Sequence, residues 1–191
     1  MNAEQLQKTL RASQYAEQVL SLHTPLLEQD FAIDQFQKSL TTSQIHSLVQ
    51  DSLLDIQNEN QWMSTLRILR ARLMFRWIWQ DANQLTDVVT LTRELSDFAD
   101  ASINAAKDFA RIPLLVKHGE PVGYGGKVQD LIVVAMGKLG AQELNLSSDI
   151  DLIFAFDEQG ETNGRKCVDV QQFCIAWGQK IIYLLAHITA E

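Results

Sequence analysis

Gly137-Lys138-Leu139-Gly140-Ala141-Gln142-Glu143-Leu144-Asn145-Leu146-Ser147-Ser148-Asp149-Ile150-Asp151 joins a glycine-containing turn to two aspartates one residue apart. An apolar run, Leu131 to Met136, precedes it, with β-branched Ile132, Val133 and Val134 at its centre; Leu152-Ile153-Phe154-Ala155-Phe156 follows. The first run predicts a buried strand. Residues 137 to about 145 read as a turn and a short helix, and Asp149 to Phe156 as a second strand. Side chains alternate faces along a strand. Ile150, Leu152, Phe154 and Phe156 are therefore expected on one face. Asp149 and Asp151 fall on the other, about 6.6 Å apart at a rise of roughly 3.3 Å per residue. Two carboxylates so spaced converge on one Mg²⁺ or bridge two ions about 4 Å apart. Mg²⁺ characteristically takes one or two carboxylates together with phosphate oxygens.

Each residue of the stretch also has a plainer reading. An isolated Asp-x-Asp is usually a solvated turn or cap, and its place at the mouth of an apolar strand after a glycine turn favours the metal. Gly137 and Gly140 permit a tight turn and close helix packing, or let backbone N–H groups approach a phosphate. Ser147 and Ser148 are turn residues or hydroxyl donors to phosphate. Lys138 is a solvated charge or a phosphate contact. Glu143 reads as structural.

Outward from this stretch the texture changes twice. From Ile112 to Asp130 the chain carries Pro113, Gly119, Pro121, Gly123, Gly125 and Gly126, which predicts a connecting loop. Before it, residues 1 to about 110 hold one proline, Pro25, and no glycine, and read as helical. Trp62, Leu66, Leu69, Leu73 and Trp77 recur at spacings of three and four and mark one apolar stripe, with Arg67, Arg70, Arg72 and Arg76 mainly off it. A helix over 84–110 would turn Leu91, Leu95, Phe98 and Ala99 toward a core. Shorter helices are expected over Asp34–Ser39 and Thr42–Ile56, with Thr41, Thr42 and Ser43 as candidate caps. After the polar loop at Gly160–Gly164, a helix from about Val170 to His187 shows the stripe Val170, Phe173, Trp177, Ile181, Leu184 and Ile188, and Asp169 is its expected N-cap. The expected organisation is a helical segment at 1–110, a linker at 111–130 and an α/β core at 131–191, an α+β chain.

The 191 residues carry 24 acidic against 16 basic side chains, a formal charge of −8. This argues against a nucleic-acid partner, which needs a basic footprint. No apolar run approaches the roughly 20 residues of a membrane helix, and the N-terminus lacks the pattern of a signal peptide. A cytoplasmic location follows, with the two cysteines, Cys167 and Cys174, reduced. His23, His46, His118 and His187 form no ligand cluster. A Walker A loop fails because Leu139 follows Lys138. An EF-hand fails because Ile153 and Phe154 stand where an oxygen ligand and a glycine are needed. A dinucleotide fingerprint fails because Ala135 stands at its first glycine.

Met136-Gly137-Lys138-Leu139-Gly140, Glu143-Leu144-Asn145 and Ser147-Ser148-Asp149-Ile150-Asp151-Leu152-Ile153-Phe154 closely resemble the signature of glutamine synthetase adenylyltransferases, in the polymerase-β-like nucleotidyltransferase superfamily. The resemblance covers roughly residues 60–191, supported by Arg67, Arg70, Arg76 and Asp81 and by Gly160–Gln179, and is specific across 136–156. It implies a bifunctional enzyme with two such domains, one attaching AMP from ATP to a tyrosine of glutamine synthetase and one removing it by phosphorolysis to give ADP. The Asn145-x-Ser147-Ser148-Asp149-Ile150-Asp151 wording is similar to the N-terminal, adenylyl-removing copy. By resemblance, Asp149 and Asp151 bind Mg²⁺, and Gly137, Lys138, Gly140, Ser147 and Ser148 hold nucleotide or phosphate oxygens. Glutamine synthetase, ATP or ADP, orthophosphate and a PII signal protein are the implied partners. The family has glycine where Ala135 and Ala141 stand. Its third metal-binding aspartate belongs to a Val-Asp-Met-Arg-Leu-Arg-Pro stretch beyond the last helix, so the chain reads as a piece of a larger enzyme with an unfinished core. Another nucleotidyltransferase of the superfamily, or a nucleotide- or partner-binding module without turnover, are the alternatives.

Overall fold

The computed structural model describes residues 3–32 and 36–186. The fold is α+β with N-terminal helices, as the sequence predicts. It divides into two compact units, one of residues 1–98 with 142–148 and one of 99–141 with 149–191.

The first unit is built on helices α1 (Ala3–Ala12), α2 (Gln14–Ala32), α3 (Thr42–Leu53) and α4 (Glu59–Ala82). Pro25 has no N–H to continue the ladder and its ring crowds the preceding turn, and α2 kinks at His23. A capping box starts α3: the Gln44 amide donates to Thr41 Oγ1, and the Thr41 amide donates to Gln44 Oε1. Asn58 caps α4. The α4 stripe of Trp62, Leu66, Leu69, Leu73 and Trp77 is buried as expected. From Leu73 to Gln80 every α4 residue is buried, because this helix packs against α1, α2 and α3. One apolar cluster joins Ala16, Val19 and Leu27 to Phe36, Phe75, Ile78 and Trp79. Phe31 and Phe36 stack with centroids 3.9 Å apart, and Trp79 meets Phe31 edge-on.

Arg76, expected off the stripe, is buried. Its guanidinium donates to Glu94 Oε2 at 2.7 Å and to the Lys38 carbonyl. Glu94 also accepts from Trp77 Nε1 and from the Leu40 amide. Gln80 Nε2 donates to the Phe36 and Lys38 carbonyls. These side chains occupy the backbone groups that a helix would need, so Phe36–Leu40 forms a turn and irregular chain rather than the helix expected over Asp34–Ser39. Residues 34 and 35 lie outside the described residues.

Helix α5 (Val88–His118) begins at the Asp87 cap and contributes to both units. Leu91, Leu95, Phe98 and Ala99 are buried, as their spacing predicts. The helix runs through Pro113 to His118, and β1 (Pro121–Gly123) follows at once. The connecting loop expected over 111–130 is thus in large part ordered secondary structure.

In the second unit β1 pairs antiparallel with β4 (Gly160–Thr162). Between them in sequence, β2 (Ile132–Ala135) pairs antiparallel with β3 (Leu152–Ala155), Ile132 opposite Ala155 and Val134 opposite Ile153. A one-turn helix, α6 (Gly137–Gly140), follows β2, shorter than the turn and helix expected to about 145. Asp169 Oδ1 accepts from the Gln172 amide at 2.7 Å and caps α7 (Val170–Ala186). Val170, Phe173, Trp177, Ile181 and Leu184 are buried along α7; His187 and Ile188 lie outside the described residues. Trp177 Nε1 donates to the Lys107 carbonyl, and Lys107 and Arg111 lie over its ring. The Phe154 ring lies 3.3 Å from where a Cβ on Gly178 would stand, so glycine lets β3 seat against α7. Strand β2 is not buried on both faces as expected: Ile132 and Val134 are 48% and 43% exposed, and Ile153 opposite is 51% exposed. Both cysteines are free thiols, Cys167 exposed and Cys174 buried. Among the described residues no helix is long and apolar enough to cross a membrane.

Candidate functional site

Strand β2 ends at Ala135, and the chain reverses at Gly137, where φ is +57°. Such a value strains any residue with a Cβ. The requirement at Gly137 is conformational rather than spatial, since a Cβ there would meet only Asp151 Oδ2, at 3.9 Å. At Gly140 it is spatial: a Cβ would stand 2.6 Å from the Ala135 carbonyl oxygen. The corner is closed by the Gly140 amide on the Met136 carbonyl and the Ala141 amide on the Gly137 carbonyl. Leu139 is buried beneath it, while Lys138 is exposed.

The Met136 amide donates to the Asp151 carbonyl at 2.9 Å, one residue before β3 begins. This bond brings Asp151 beside Gly137. The strand was expected from Asp149; it starts at Leu152, so Asp149, Ile150 and Asp151 lead into the sheet rather than lie in it. Leu152 and Phe154 do share the half-buried face, as alternation requires, and Ile153 and Ala155 the exposed one. Both aspartates are exposed, and neither carboxylate has a hydrogen-bond or ion-pair partner among the described residues. Two like charges so close in sequence, and unpaired among the described residues, are suited to a cation. The donor set, two carboxylates open to solvent, fits Mg²⁺, which keeps several ligands for water and phosphate. Among the described residues no group of three or more His, Cys, Asp or Glu side chains is arranged to hold a metal.

Ser147 and Ser148 belong to the first unit, with the whole of Gln142–Ser148. The Leu144 amide donates to Ser96 Oγ at 3.2 Å, and Ser96 in turn donates to the Thr92 carbonyl. Leu144 is buried, and Leu146 packs on the Phe36, Phe75 and Trp79 cluster. On this anchored segment one atom, Asn145 Oδ1, accepts three hydrogen bonds: from the Ser147 amide at 3.1 Å, Ser147 Oγ at 3.3 Å and Ser148 Oγ at 2.7 Å. The Asn145 amide donates to Ser148 Oγ, and the Ser148 amide to the Asn145 carbonyl. Both serine hydroxyls are thereby committed to Asn145. Sequence reasoning gave Asn145 no role of its own and missed Ser96 altogether. The Asn-x-Ser-Ser pattern is the available signal for the former, since an Asn side chain characteristically bonds the backbone two residues on. Nothing local marks Ser96.

The α+β chain thus carries two exposed carboxylates close in sequence, one of them beside a glycine corner. A family model described as glutamate-ammonia ligase adenylyltransferase matches residues 3–191, and the chain belongs to that family. It is 75% identical over its whole length to a protein of Acinetobacter baylyi named bifunctional glutamine synthetase adenylyltransferase/adenylyl-removing enzyme, covering 21% of that protein. Proteins of the same name from Hahella chejuensis and Pseudomonas syringae are 40% identical over 82% of the chain and 36% identical over 94%, covering 16% and 18% of those relatives. The chain thus spans about a fifth of the length of the curated relatives it matches.

Proposed function

We propose that these residues form part of a cytoplasmic enzyme that removes AMP from a tyrosine of glutamine synthetase by phosphorolysis. An oxygen of orthophosphate displaces the tyrosine oxygen at the adenylyl phosphorus. The tyrosine O–P bond breaks, a P–O–P bond forms, and ADP and free tyrosine are the products. In this reading Asp149 and Asp151 hold Mg²⁺, which supplies positive charge to offset phosphate oxygens. Gly137, Lys138, Gly140, Ser147 and Ser148 receive and orient the phosphates. The observation that carries it is the exposed Asp149–Asp151 pair, unpartnered among the described residues, with Asp151 fixed beside the Gly137 corner. Support comes from the family and from the name of its relatives, which covers both adenylyl transfer and adenylyl removal, and the Asn145-x-Ser147-Ser148 wording favours removal over attachment.

Asp151→Ala, tested in the product of the full reading frame that encodes this chain, should reduce ADP release from adenylylated glutamine synthetase by at least about a hundredfold, within the range lost with an electrostatic catalytic group. Thermal unfolding should be little changed, because the carboxylate is exposed. Activity retained in Asp151→Ala would remove the metal role and with it this reading.

A further inference from the structure

We propose that Asn145 is the positioning residue for Ser147 and Ser148, holding both hydroxyls in register for phosphate through its single side-chain oxygen; this rests on the phosphorolysis reading above. A side-chain oxygen that accepts three hydrogen bonds from two successive residues defines the conformation of both. Reciprocal bonds from the Asn145 amide to Ser148 Oγ and from the Ser148 amide to the Asn145 carbonyl close the turn in the other direction. The turn does not float. Ser96, fully buried on α5, accepts the Leu144 amide one residue before Asn145, and Leu146 one residue after it sits on the aromatic cluster of α2 and α4.

The geometry separates the two ends of the Asn145 side chain. Oδ1 makes every side-chain hydrogen bond recorded for this residue among the described residues, and Nδ2 makes none. The acceptor is therefore what holds the turn, and Ala removes it. Phosphate competes for the same hydroxyl protons, so the turn acts as a poised donor set. Its hydroxyls transfer from Asn145 to the anion without the backbone having to be ordered at that moment.

The test compares the wild-type product of the full reading frame with Asn145→Ala and Asn145→Asp. ADP release from adenylylated glutamine synthetase is followed against orthophosphate concentration, and Mg-ADP binding is titrated calorimetrically on the same three proteins. Asn145→Ala should raise the KM for orthophosphate and weaken Mg-ADP binding by about tenfold each, the value of one or two lost hydrogen bonds, with kcat within about threefold of wild type and thermal unfolding unshifted. Asn145→Asp keeps the acceptor but adds a negative charge beside the phosphate, so its weakened binding should ease as salt is raised, whereas that of Asn145→Ala should not. Unchanged KM and binding in Asn145→Ala overturns the positioning role. So does a fall in kcat and thermal stability together with no change in KM, which is the signature of a purely structural residue. If the wild type releases no ADP but binds Mg-ADP, and Asn145→Ala binds it about tenfold more weakly, the phosphorolysis reading falls while the positioning role stands. If the wild type neither releases ADP nor binds it, both fall.

Discussion

Glu94 shows how much one residue sets in this protein. It sits buried on α5 and accepts from the Arg76 guanidinium, the Trp77 indole and the Leu40 amide at 2.7, 2.8 and 2.9 Å. An ion pair taken out of water costs desolvation that only good geometry and further hydrogen bonds offset, and Glu94 has both. Removing Glu94 takes one acceptor away from three donors at once, those of Arg76 and Trp77 buried. Glu94→Ala should therefore lower the unfolding free energy by about 3–5 kcal/mol, read by urea denaturation. A loss below about 1 kcal/mol, the range of a solvated pair, would contradict the burial assigned here. The sequence contains both charges but does not show that they meet, since Arg76 and Glu94 stand on different helices. Periodicity places Arg76 off the apolar stripe, yet it is buried, because α4 packs against three other helices and every residue from Leu73 to Gln80 is covered. Gly137 lies at the other extreme of legibility: a glycine between an apolar run and a polar stretch predicts a turn, and its φ of +57° is what that turn demands.

Among the elements, α5 carries the most consequence. Its first turn is capped by Asp87, whose Oδ1 accepts from the Thr90 amide at 2.8 Å while Oδ2 accepts from the Thr90 hydroxyl. Hydrogen bonding to the charged form lowers the Asp87 pKa from its ordinary 3.8. The sign follows from linkage: the folded state binds its proton less readily than the unfolded one. The cap's contribution is therefore present above pH 3.8 and is lost as pH falls through the lowered folded value. The Asp87 carboxyl carbon, followed by NMR, should titrate below 3.8, and the amides of Val88–Leu91 should exchange faster once it does. Titration at or above 3.8 would contradict the cap. Strong local signals made several elements legible: the stripes of α4 and α7, the Asp169 cap, the Thr41 capping box, and the Leu152–Phe154 alternation. Local signals misled at three places. Pro113 reads as a break, yet α5 passes through it to His118. Asp34–Ser39 reads as a helix, yet the carbonyls of Phe36 and Lys38 are taken by Gln80 and Arg76. Asp149 reads as a strand residue, yet pairing with β2 ends at Leu152, and beyond it only the Asp151 carbonyl is engaged, by the Met136 amide.

For the molecule as a whole, the division into a helical segment followed by an α/β core does not capture where the motif belongs. The chain passes between its two units at Phe98–Ala99, Ala141–Gln142 and Ser148–Asp149. The segment with Asn145, Ser147 and Ser148 is a part of the helical unit, tied to it by Ser96 and Leu146, whereas Gly137 and Asp151 belong to the other. Composition could not have shown this, because Gln142–Ser148 is continuous in sequence with residues on both sides and its anchors lie some 50 residues or more away. The family was legible, since residue types and their order carry it. Which groups hold one another in place was not, since that depends on a tertiary contact. The central claim, transfer of AMP from tyrosine to orthophosphate, is tested most directly by the identity of the released nucleotide. Glutamine synthetase carrying radiolabelled AMP, incubated with Mg²⁺, orthophosphate and the product of the full reading frame, should yield labelled ADP in step with the loss of label from the protein, and none when orthophosphate is withheld. Release as AMP, or label that stays on glutamine synthetase at saturating orthophosphate, would contradict the account.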